Sequence, residues 1–270
     1  MASVTIVVPC YNEAARLDRD EFLAWAKRGA MRFLFVDDGS KDGTAALLRE
    51  MQDEAKTHIS VLELGTNRGK AEAVRLGLRH ALQGGATVVG YLDADLATPI
   101  AELQDMSAEM ERRGAAVLLG SRVALLGHRI QRHWYRHYPA RVFATLASWV
   151  LGLPVYDTQC GAKLFARSSL LESALEDPFR SKWAFDIELL GRLLTGTPGQ
   201  APIGAEAMYE YPLHRWTDIP DSKLGWGGML ATTAGLAGVW LDLRRRRQRA
   251  RRVPAPARGP APGASGGPRG

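Results

Sequence analysis

Residues 88–95 have the sequence VVGYLDAD, a short apolar run followed at once by two acids one residue apart. An apolar run of this length, bounded by polar residues, is typical of a buried β-strand. Asp93 and Asp95 are alternate residues, and alternate residues of an extended chain point the same way. The sequence therefore predicts a strand whose end offers two carboxylates to one ligand.

Similar apolar runs occur before and after this strand, with helical patterns between them. Strands are predicted over residues 4–8, 33–36, 60–64, 87–92 and 115–119. Helices are predicted within residues 13–28, over 44–55, over 69–81, and from Pro99, whose fixed φ suits a first helical turn. This alternation predicts an α/β fold with a Rossmann-like, mostly parallel sheet flanked by helices.

Four polar clusters lie where the predicted strands or their connections end. In a doubly wound sheet, ligands bind outside the carboxyl ends of the strands, so these clusters are expected to converge. They are Asp37–Ser40, Asn67–Lys70, Asp93–Asp95 and Gly120–Arg122. The chain has neither the glycine fingerprint of dinucleotide-binding folds nor a P-loop motif.

The paired acids suggest a metal site. Carboxylates are hard oxygen ligands that suit Mg²⁺ or Mn²⁺. An ion held by Asp93 and Asp95 would bridge a diphosphate and offset the charge of a leaving group. One such pair is most often a solvated strand end, but Asp37 and Asp38 end another strand in the same way, which favours a site.

The net charge of +6 is unevenly distributed along the chain. Residues 244–270 hold nine arginines and no acid, which leaves 26 basic and 29 acidic residues in 1–243. A mildly acidic body argues against nucleic-acid binding. The basic end favours contact with an anionic membrane surface.

Two segments have patterns that suit a membrane interface. In 123–155, basic and aromatic residues interleave, which fits either an interfacial helix or a solvated helix with its aromatics in the core. The uncharged segment 224–241 is at the lower length limit for a span and glycine-rich, which favours an amphipathic helix lying in the interface. The arginines that follow, up to residue 252, suit an anionic-lipid anchor, although docking on a partner membrane protein stays open. The composition of 253–270 predicts a disordered basic tail.

The cysteines and the first residues bear on the compartment. Cys10 and Cys160 have no metal-type spacing, which predicts free thiols in a reducing compartment. The first ten residues lack the basic and long apolar regions of a secretory signal. We therefore expect the protein at the cytoplasmic face of a membrane.

Several motifs together carry a resemblance. In order and spacing, four of them resemble family 2 glycosyltransferases of the GT-A fold: Val7–Glu13, Val36–Ser40, Asn67–Lys70 and Asp93–Asp95. Later segments are similar to the dolichyl-phosphate glucosyltransferase branch of that family: Asp95–Pro99, Arg132–Arg136, Asp157–Phe165, Trp183–Leu190 and Trp216–Lys223. The resemblance covers about residues 3–230.

This resemblance implies a donor site for a nucleotide sugar. Its members would be Pro9, Tyr11, Glu13, Asp38, Lys70 and Asp93. Within it, Asp38 would contact the base and Lys70 would lie near phosphates or the acceptor. Asp95, with Asp93, would hold Mg²⁺ or Mn²⁺ as the cofactor.

The resemblance also implies an acceptor site for a polyprenyl phosphate. Cations near that phosphate would be Arg122, Arg132, Arg136 and Lys163. Asp186 and Glu188 lie where sugar-acceptor members of the wider family carry a catalytic acid. In this chain they would orient a basic residue or contact the sugar. The catalytic set would be Asp95, Arg122, Asp186 and Glu188.

The implied reaction is an inverting transfer of a hexose, glucose from UDP-glucose, to dolichyl or undecaprenyl phosphate. A phosphate nucleophile is anionic near pH 7, so positioning and cationic charge matter more than a strong base. One alternative is a GDP-mannose donor, and another is a saccharide hydroxyl acceptor, which would need Asp186 or Glu188 as base. A relative that binds nucleotide sugars without activity is disfavoured by the intact acids.

The domain organisation follows from these assignments. Residues 1–223 are expected to form the glycosyltransferase domain, with a nucleotide-sugar half over about 1–122 and an acceptor half over about 123–223. A membrane-associating helix over 224–252 and the tail at 253–270 would follow.

Overall fold

A computed structural model describes residues 3–131, 134–218 and 226–252, with the backbone alone for 131, 134–140, 226–234 and 249–252. The nine strands are β1 Val4–Cys10, β2 Arg32–Asp37, β3 Ile59–Glu63, β4 Val88–Leu92, β5 Val117–Ser121, β6 Arg129–Gln131, β7 Ala162–Ala166, β8 Met208–Pro212 and β9 Arg215–Thr217 within these residues. The helices described are α1 Arg19–Arg28, α2 Thr44–Glu54, α3 Lys70–Gln83, α4 Ile100–Arg113, α5 Trp134–Leu151, α6 Ser169–Ala174, α7 Phe185–Thr195 and α8 Trp226–Arg252, with a 3₁₀ turn at Ala205–Ala207.

Seven of the strands form one sheet in the order β3-β2-β1-β4-β7-β5-β8. Every neighbouring pair runs parallel except the two that involve β7. The predicted α/β fold with a mostly parallel central sheet is therefore confirmed. β6 and β9 form a separate parallel pair.

The strand β7 lies between β4 and β5 and is antiparallel to both. Its residue Lys163 is the register partner of Tyr91 on one side and of Leu119 on the other. The strand prediction omitted it, because a lysine at the second position of a five-residue run makes a buried strand look like an exposed segment. The sheet consequently takes strands from both predicted halves of the domain.

Helices cover both faces of the sheet, and each face has its own core. One core contains Leu78 of α3, Leu190 of α7 and Val239 of α8. The other contains Phe22 of α1 and Leu103 of α4. Since both faces are buried, the strands carry nearly continuous apolar runs, which is the pattern from which they were predicted.

Local capping explains where the first helix begins. The helical spacing was predicted to extend from residue 13, but α1 starts at Arg19 because the Asp18 carboxylate accepts a hydrogen bond from the backbone N–H of Glu21 at 3.0 Å. The helix ends at Gly29, which has a φ of 71°. Residues 13–17 form a turn instead, closed by the Leu17 N–H on the Glu13 carbonyl at 2.8 Å.

The C-terminal helix α8 packs on the body of the protein. Its residues Leu236, Val239 and Leu243 are buried in the core shared with α5 and α7. Gly191 of α7 leaves the space for Leu243, because a Cβ at that position would meet the leucine side chain. In the described part of the chain, no helix combines the length and apolar character needed to cross a membrane.

Two arginines predicted as part of a lipid anchor have partners within the protein. Arg246 donates to the Asp242 carboxylate at 2.7 Å. Arg247 donates to the carbonyls of Val150 at 3.2 Å and Leu151 at 2.7 Å. These carbonyls end α5 and lack partners within that helix, so Arg247 caps α5 and ties it to α8. The tail at 253–270 lies outside the described residues.

Candidate active site

The carboxylate of Asp38 organises the loop that precedes α3. It accepts hydrogen bonds from the backbone N–H groups of Arg68 and Gly69, both at 2.7 Å. Burial raises the pKa of Asp38, and the two N–H donors oppose that shift. Gly69 has a φ of 92°, which a residue with a side chain rarely adopts. Asp38 thereby fixes the start of α3 and with it Lys70. The contact of Asp38 with the base of a nucleotide stays a prediction.

The loop after β1 is tied to the loop after β2. The Asn12 N–H donates to the Ser40 hydroxyl at 3.0 Å, and the Lys41 N–H donates back to the Asn12 side chain at 2.8 Å. The Glu13 N–H donates to the Thr44 hydroxyl at 2.8 Å. The residues predicted to border a nucleoside lie on this loop or at the strand end before it: Pro9, Tyr11 and Glu13.

An ion pair joins the second and third polar clusters. The Lys70 ammonium lies 2.6 Å from Asp93 Oδ1, and both side chains are partly exposed. Desolvation lowers the pKa of Lys70, but the carboxylate of Asp93, with smaller contributions from Asp186 and Asp95, raises the pKa overall. Lys70 is therefore a cation paired with Asp93, and the negative charges of all three carboxylates favour its protonated form.

The two acids of the third cluster are held by their backbone surroundings. The Asp93 N–H donates to the Gly161 carbonyl at 3.1 Å, and a Cβ on Gly161 would collide with the Asp93 carboxyl group. Asp95 Oδ1 accepts the Ala97 N–H at 3.1 Å. Burial, followed by the charge of Asp93, raises the pKa of Asp95. Both acids follow β4, which ends at Leu92, and they lie in a turn closed by the Leu96 N–H on the Asp93 carbonyl at 3.3 Å, not in the extended chain that the spacing predicted. That they share one ligand stays a prediction.

Arg122 forms a bidentate ion pair at the end of β5. Its Nε and Nη2 donate to the two oxygens of Asp157 at 2.6 and 2.8 Å, and its backbone N–H also donates to Asp157. Burial alone would raise the pKa of Asp157, but the guanidinium lowers it to about 2. The guanidinium carbon also lies 5.3 Å from the ring centre of Trp216. Arg122 is therefore a fixed cation, with one edge committed to Asp157.

Lys163 was predicted to contact an acceptor phosphate, but the structure puts it in the core of the sheet. Its side chain is only 1% exposed. Its ammonium donates to the Tyr91 hydroxyl at 2.8 Å and to the Cys160 carbonyl at 2.6 Å, and it lies 3.2 Å from Asp186. A buried ammonium with three protein partners has no open direction for a lipid phosphate, so the acceptor assignment of Lys163 is corrected.

Asp186 and Glu188 are two residues apart at the start of α7 but face different surroundings. Asp186 contacts Tyr91 and Lys163, and its negative charge is among those that raise the pKa of Lys70. Glu188 is fully buried, and it accepts hydrogen bonds from Arg192 and from the backbone of residue 180, both at 2.8 Å. Asp186 thus belongs to the site, whereas Glu188 stabilises the connection between α6 and α7 in this arrangement.

The sequence profile of the family described as Glycosyl transferase family 2 matches residues 5–173, more than half of the chain. The chain belongs to that family. A dolichyl-phosphate beta-glucosyltransferase of Drosophila melanogaster is 32% identical over 238 residues, which are 82% of this chain and 69% of that protein. The protein of the same description from Homo sapiens is 30% identical over 237 residues, again 82% and 69%.

Solved structures with the same fold are more distant in sequence. The glucosyl-3-phosphoglycerate synthase of M. tuberculosis has a TM-score of 0.63 at 16% identity, covering 90% of this chain and 80% of that one. A mannosyltransferase from Pyrobaculum calidifontis, in complex with GDP-Man and Mn²⁺, has a TM-score of 0.52 at 17% identity, covering 94% and 76%. These similarities show that the family 2 chain has the GT-A fold. The chain is a glycosyltransferase.

The residues of this glycosyltransferase fit a divalent metal ion. Mg²⁺ in proteins is commonly bound by one or two carboxylates together with substrate phosphates, and Asp93 and Asp95 supply such a pair beside Lys70. Among the described residues, no group of three or more metal-type side chains forms a complete site. The two carboxylates therefore fit an ion whose remaining ligands would come from a diphosphate.

Two predicted acceptor residues of the glycosyltransferase cannot be located by their side chains. Arg132 lies outside the described residues. Arg136 lies on α5, for which the structure describes only the backbone at that position. Their assignment to the acceptor phosphate stays a prediction.

The site also contains residues that the sequence did not single out. Asp157 holds Arg122, Gly161 leaves room for Asp93, and Tyr91 contacts both Lys163 and Asp186. Asp157 and Gly161 belong to a motif quoted for the family resemblance, which was the available signal. No such signal marked Tyr91, because in the sequence it is one aromatic residue in an apolar strand.

Proposed function

We propose that this glycosyltransferase transfers glucose from UDP-glucose to a polyprenyl phosphate, dolichyl or undecaprenyl phosphate, at the cytoplasmic face of a membrane. The observation that carries the proposal is the pair of relatives described as dolichyl-phosphate beta-glucosyltransferases, which match 82% of this chain at 30–32% identity. The complex of a structural relative with Mn²⁺, UDP and glucosyl-3-phosphoglycerate supports a nucleotide-sugar donor for this fold.

The proposed chemistry is a displacement at the anomeric carbon of glucose. A phosphate oxygen of the lipid forms the new bond to that carbon, the bond to the β-phosphate oxygen breaks, and UDP leaves. Inversion follows from attack on the face opposite the leaving group. No proton has to be removed from the anionic nucleophile, so a general base is not required.

The residues at the sheet edge would bind and orient the reactants. Lys70 lies where its ammonium can neutralise phosphate charge next to the acid pair. Arg122, fixed by Asp157, would direct the free edge of its guanidinium toward a phosphate. Asp93 and Asp95 would hold Mg²⁺ or Mn²⁺, whose contribution when bound is to neutralise the departing diphosphate.

A surface on α5 and α8, here called the interfacial face, supports membrane association. Val142 and Trp149 are 63% and 66% exposed, and Leu241 is 47% exposed. Trp149 stacks on Trp240, with ring centres 5.6 Å apart, and the guanidinium of Arg244 lies 5.3 Å from the Trp240 ring. Exposed aromatic and aliphatic side chains next to arginines suit the boundary between headgroups and acyl chains.

The membrane part of the proposal is tested by sedimentation with liposomes that contain anionic lipid. A variant lacking residues 248–270 keeps the two arginines that pair within the protein and should bind less, with the difference disappearing at high salt. Equal binding of the truncated and full chains at low salt would contradict a role for the tail. Binding that requires another membrane protein would favour the partner alternative.

Activity is tested with purified protein, Mg²⁺ or Mn²⁺, and a polyprenyl phosphate. Labelled UDP-glucose and GDP-mannose are supplied in turn, and sugar in the organic phase is measured together with nucleotide release. Labelled lipid from UDP-glucose alone is the expected result. Labelled lipid from GDP-mannose alone would show that the donor is GDP-mannose. Release of nucleotide only with a soluble saccharide would show that the acceptor is a saccharide hydroxyl.

A further inference from the structure

The buried lysine of β7 is unusual for the interior of a sheet. Lysine is almost never fully buried unless it is paired, because its charge loses its hydration. The side chain of Lys163 is 1% exposed, and its charge is compensated by Asp186 at 3.2 Å. Tyr91 and the Cys160 carbonyl accept its remaining protons at 2.8 and 2.6 Å. An arrangement this specific requires an explanation beyond packing.

The partners of Lys163 come from three different elements. Tyr91 is on β4 directly opposite Lys163 in the sheet register, and it donates its hydroxyl proton to the same oxygen of Asp186 that faces Lys163. Asp186 is in the first turn of α7. The contacts therefore fix the position of one α7 carboxylate relative to the centre of the sheet.

That carboxylate lies next to the candidate active site. The side chain of Asp186 is 8% exposed, so the group sits at the boundary between the core and the open edge. The segment before α7 also meets the start of α3, since a Cβ on Gly69 would lie 3.9 Å from the Lys182 side chain. The charge of Asp186 is among those that act on Lys70, whose ammonium pairs with Asp93. Charges of alternating sign thus run from Lys163 through Asp186 and Lys70 to Asp93.

We propose that Lys163 and Tyr91 are positioning residues, which hold the Asp186 carboxylate on the face of the sheet that carries α3, so that its charge helps to fix the Lys70 ammonium for the diphosphate of the donor. The proposal rests on the proposed nucleotide-sugar chemistry for its substrate, but its geometry is independent of the acceptor. Lys163 has no contact with substrate in this role. Its effect reaches the reaction through Asp186.

The test compares Lys163→Met, Asp186→Asn and the double variant. Each single substitution leaves one partner unpaired in the core and should lower the melting temperature, whereas the double variant removes the pair together and should largely recover it. Turnover should not recover. We expect it to stay about 100-fold low in the double variant, because misplacement of a site group by about 1 Å has an effect of that order.

A structural role alone predicts a different pattern. If the double variant regains both its melting temperature and its turnover, the pair only stabilises the fold and the proposal is wrong. Tyr91→Phe removes one hydroxyl without changing a charge, and it should lower turnover while the protein stays folded. Full turnover in Tyr91→Phe and in the double variant would likewise overturn the proposal.

A matched control is the pair of Arg75 with Glu72 on α3. Arg75 is 5% exposed at its side chain, lies 2.6 Å from Glu72, and donates to the Leu175 carbonyl at 2.7 Å. The double variant Glu72→Gln with Arg75→Met likewise removes a whole buried pair, so it should keep most of its melting temperature, and its turnover should match wild type. The comparison distinguishes the effect of losing any buried ion pair from the effect of losing the pair of Lys163 and Asp186 beside the active site.

Nucleotide binding keeps this test separate from the proposed function. Calorimetry with UDP and with GDP, each with Mg²⁺, measures the donor site even if no lipid is glycosylated. The Lys163→Met/Asp186→Asn variant should bind the preferred nucleotide about 10- to 100-fold more weakly, the range for a lost charge-assisted contact. If the double variant keeps the nucleotide affinity and the turnover of the wild type, the positioning role is refuted. If the wild type transfers no sugar to lipid, only the proposed acceptor is refuted.

Discussion

The substitution Gly161→Ala tests the placement of Asp93 with the smallest possible change. An added Cβ would lie 2.9 Å from Asp93 Oδ1 and closer still to the other two carboxyl atoms. Non-bonded carbon contacts are favourable at about 3.5–4.0 Å, so the carboxylate has to move by roughly 1 Å. The φ of Gly161 is outside the left-handed region, so backbone strain does not contribute.

The expected effect on catalysis exceeds the effect on stability. Insertion of one methyl group into a packed site costs about 1–3 kcal/mol of folding free energy, which a large domain tolerates. A shift of about 1 Å in a positioned group lowers turnover by about 100-fold. Since Asp93 also pairs with Lys70 at 2.6 Å, the displaced carboxylate would release that ammonium as well.

The assay is the transfer of labelled glucose into the organic phase, with the melting temperature measured on the same samples. Gly238→Ala is the control, because nothing lies within 4 Å of a Cβ at that helical position, and its turnover should be unchanged. If Gly161→Ala lowers turnover as strongly in an Asp93→Ala background as in the wild type, its effect does not pass through Asp93. Wild-type turnover of Gly161→Ala would refute the reasoning entirely.

Three further outcomes are expected. Asp95→Ala should abolish transfer with metal present while the far-UV spectrum and melting temperature stay close to wild type; measurable turnover would remove Asp95 from the mechanism. Asp157, whose pKa lies at about 2 beside Arg122, stabilises the fold above its unfolded pKa, and this contribution is lost as the pH falls toward 2. Between pH 5 and pH 2, the free energy of unfolding measured with denaturant should therefore fall by about 2 kcal/mol more in the wild type than in Asp157→Asn. Parallel plots of this free energy against pH for the two proteins would contradict the prediction. Trp149→Ser should weaken liposome binding at both low and high salt, because it removes apolar contact and no charge; a purely salt-dependent loss would argue against the interfacial face.

The sequence was sufficient for the features that depend on local pattern. The inner strands are covered on both faces, so β1, β2, β4 and β5 are nearly continuous apolar runs, whereas β3 at the edge of the sheet includes Ser60 and Glu63. Each of the five predicted strands was found within about two residues of its position. The acids at the ends of β2 and β4 could be placed at one edge for the same reason, since parallel strands end together.

Features that depend on distant partners could not be predicted in this way. Lys163 has the same local appearance as an exposed lysine, and only Asp186, 23 positions later in the chain, makes its burial favourable. Arg247 appears as one of a run of arginines, but the end of α5, about 96 residues earlier, determines that it is a cap. The charge of a side chain is visible in the sequence, whereas its neutralising partner is a property of the fold.

The insertion of β7 between β4 and β5 has a consequence for how the chain is made. In the first 122 residues, β5 has neither of its neighbours, because both β7 and β8 come later in the chain. A nascent chain of that length would leave the edge of β4 and the whole of β5 unpaired, and exposed strand edges are templates for aggregation. At about 5–20 residues per second, the ribosome needs roughly 2–9 s to deliver Ala166, the last residue of β7. During that interval a strand built from later residues is missing from the middle of the sheet. We therefore expect a fragment of the first 122 residues to aggregate when it is made alone, and chaperones to bind the nascent chain until β7 arrives.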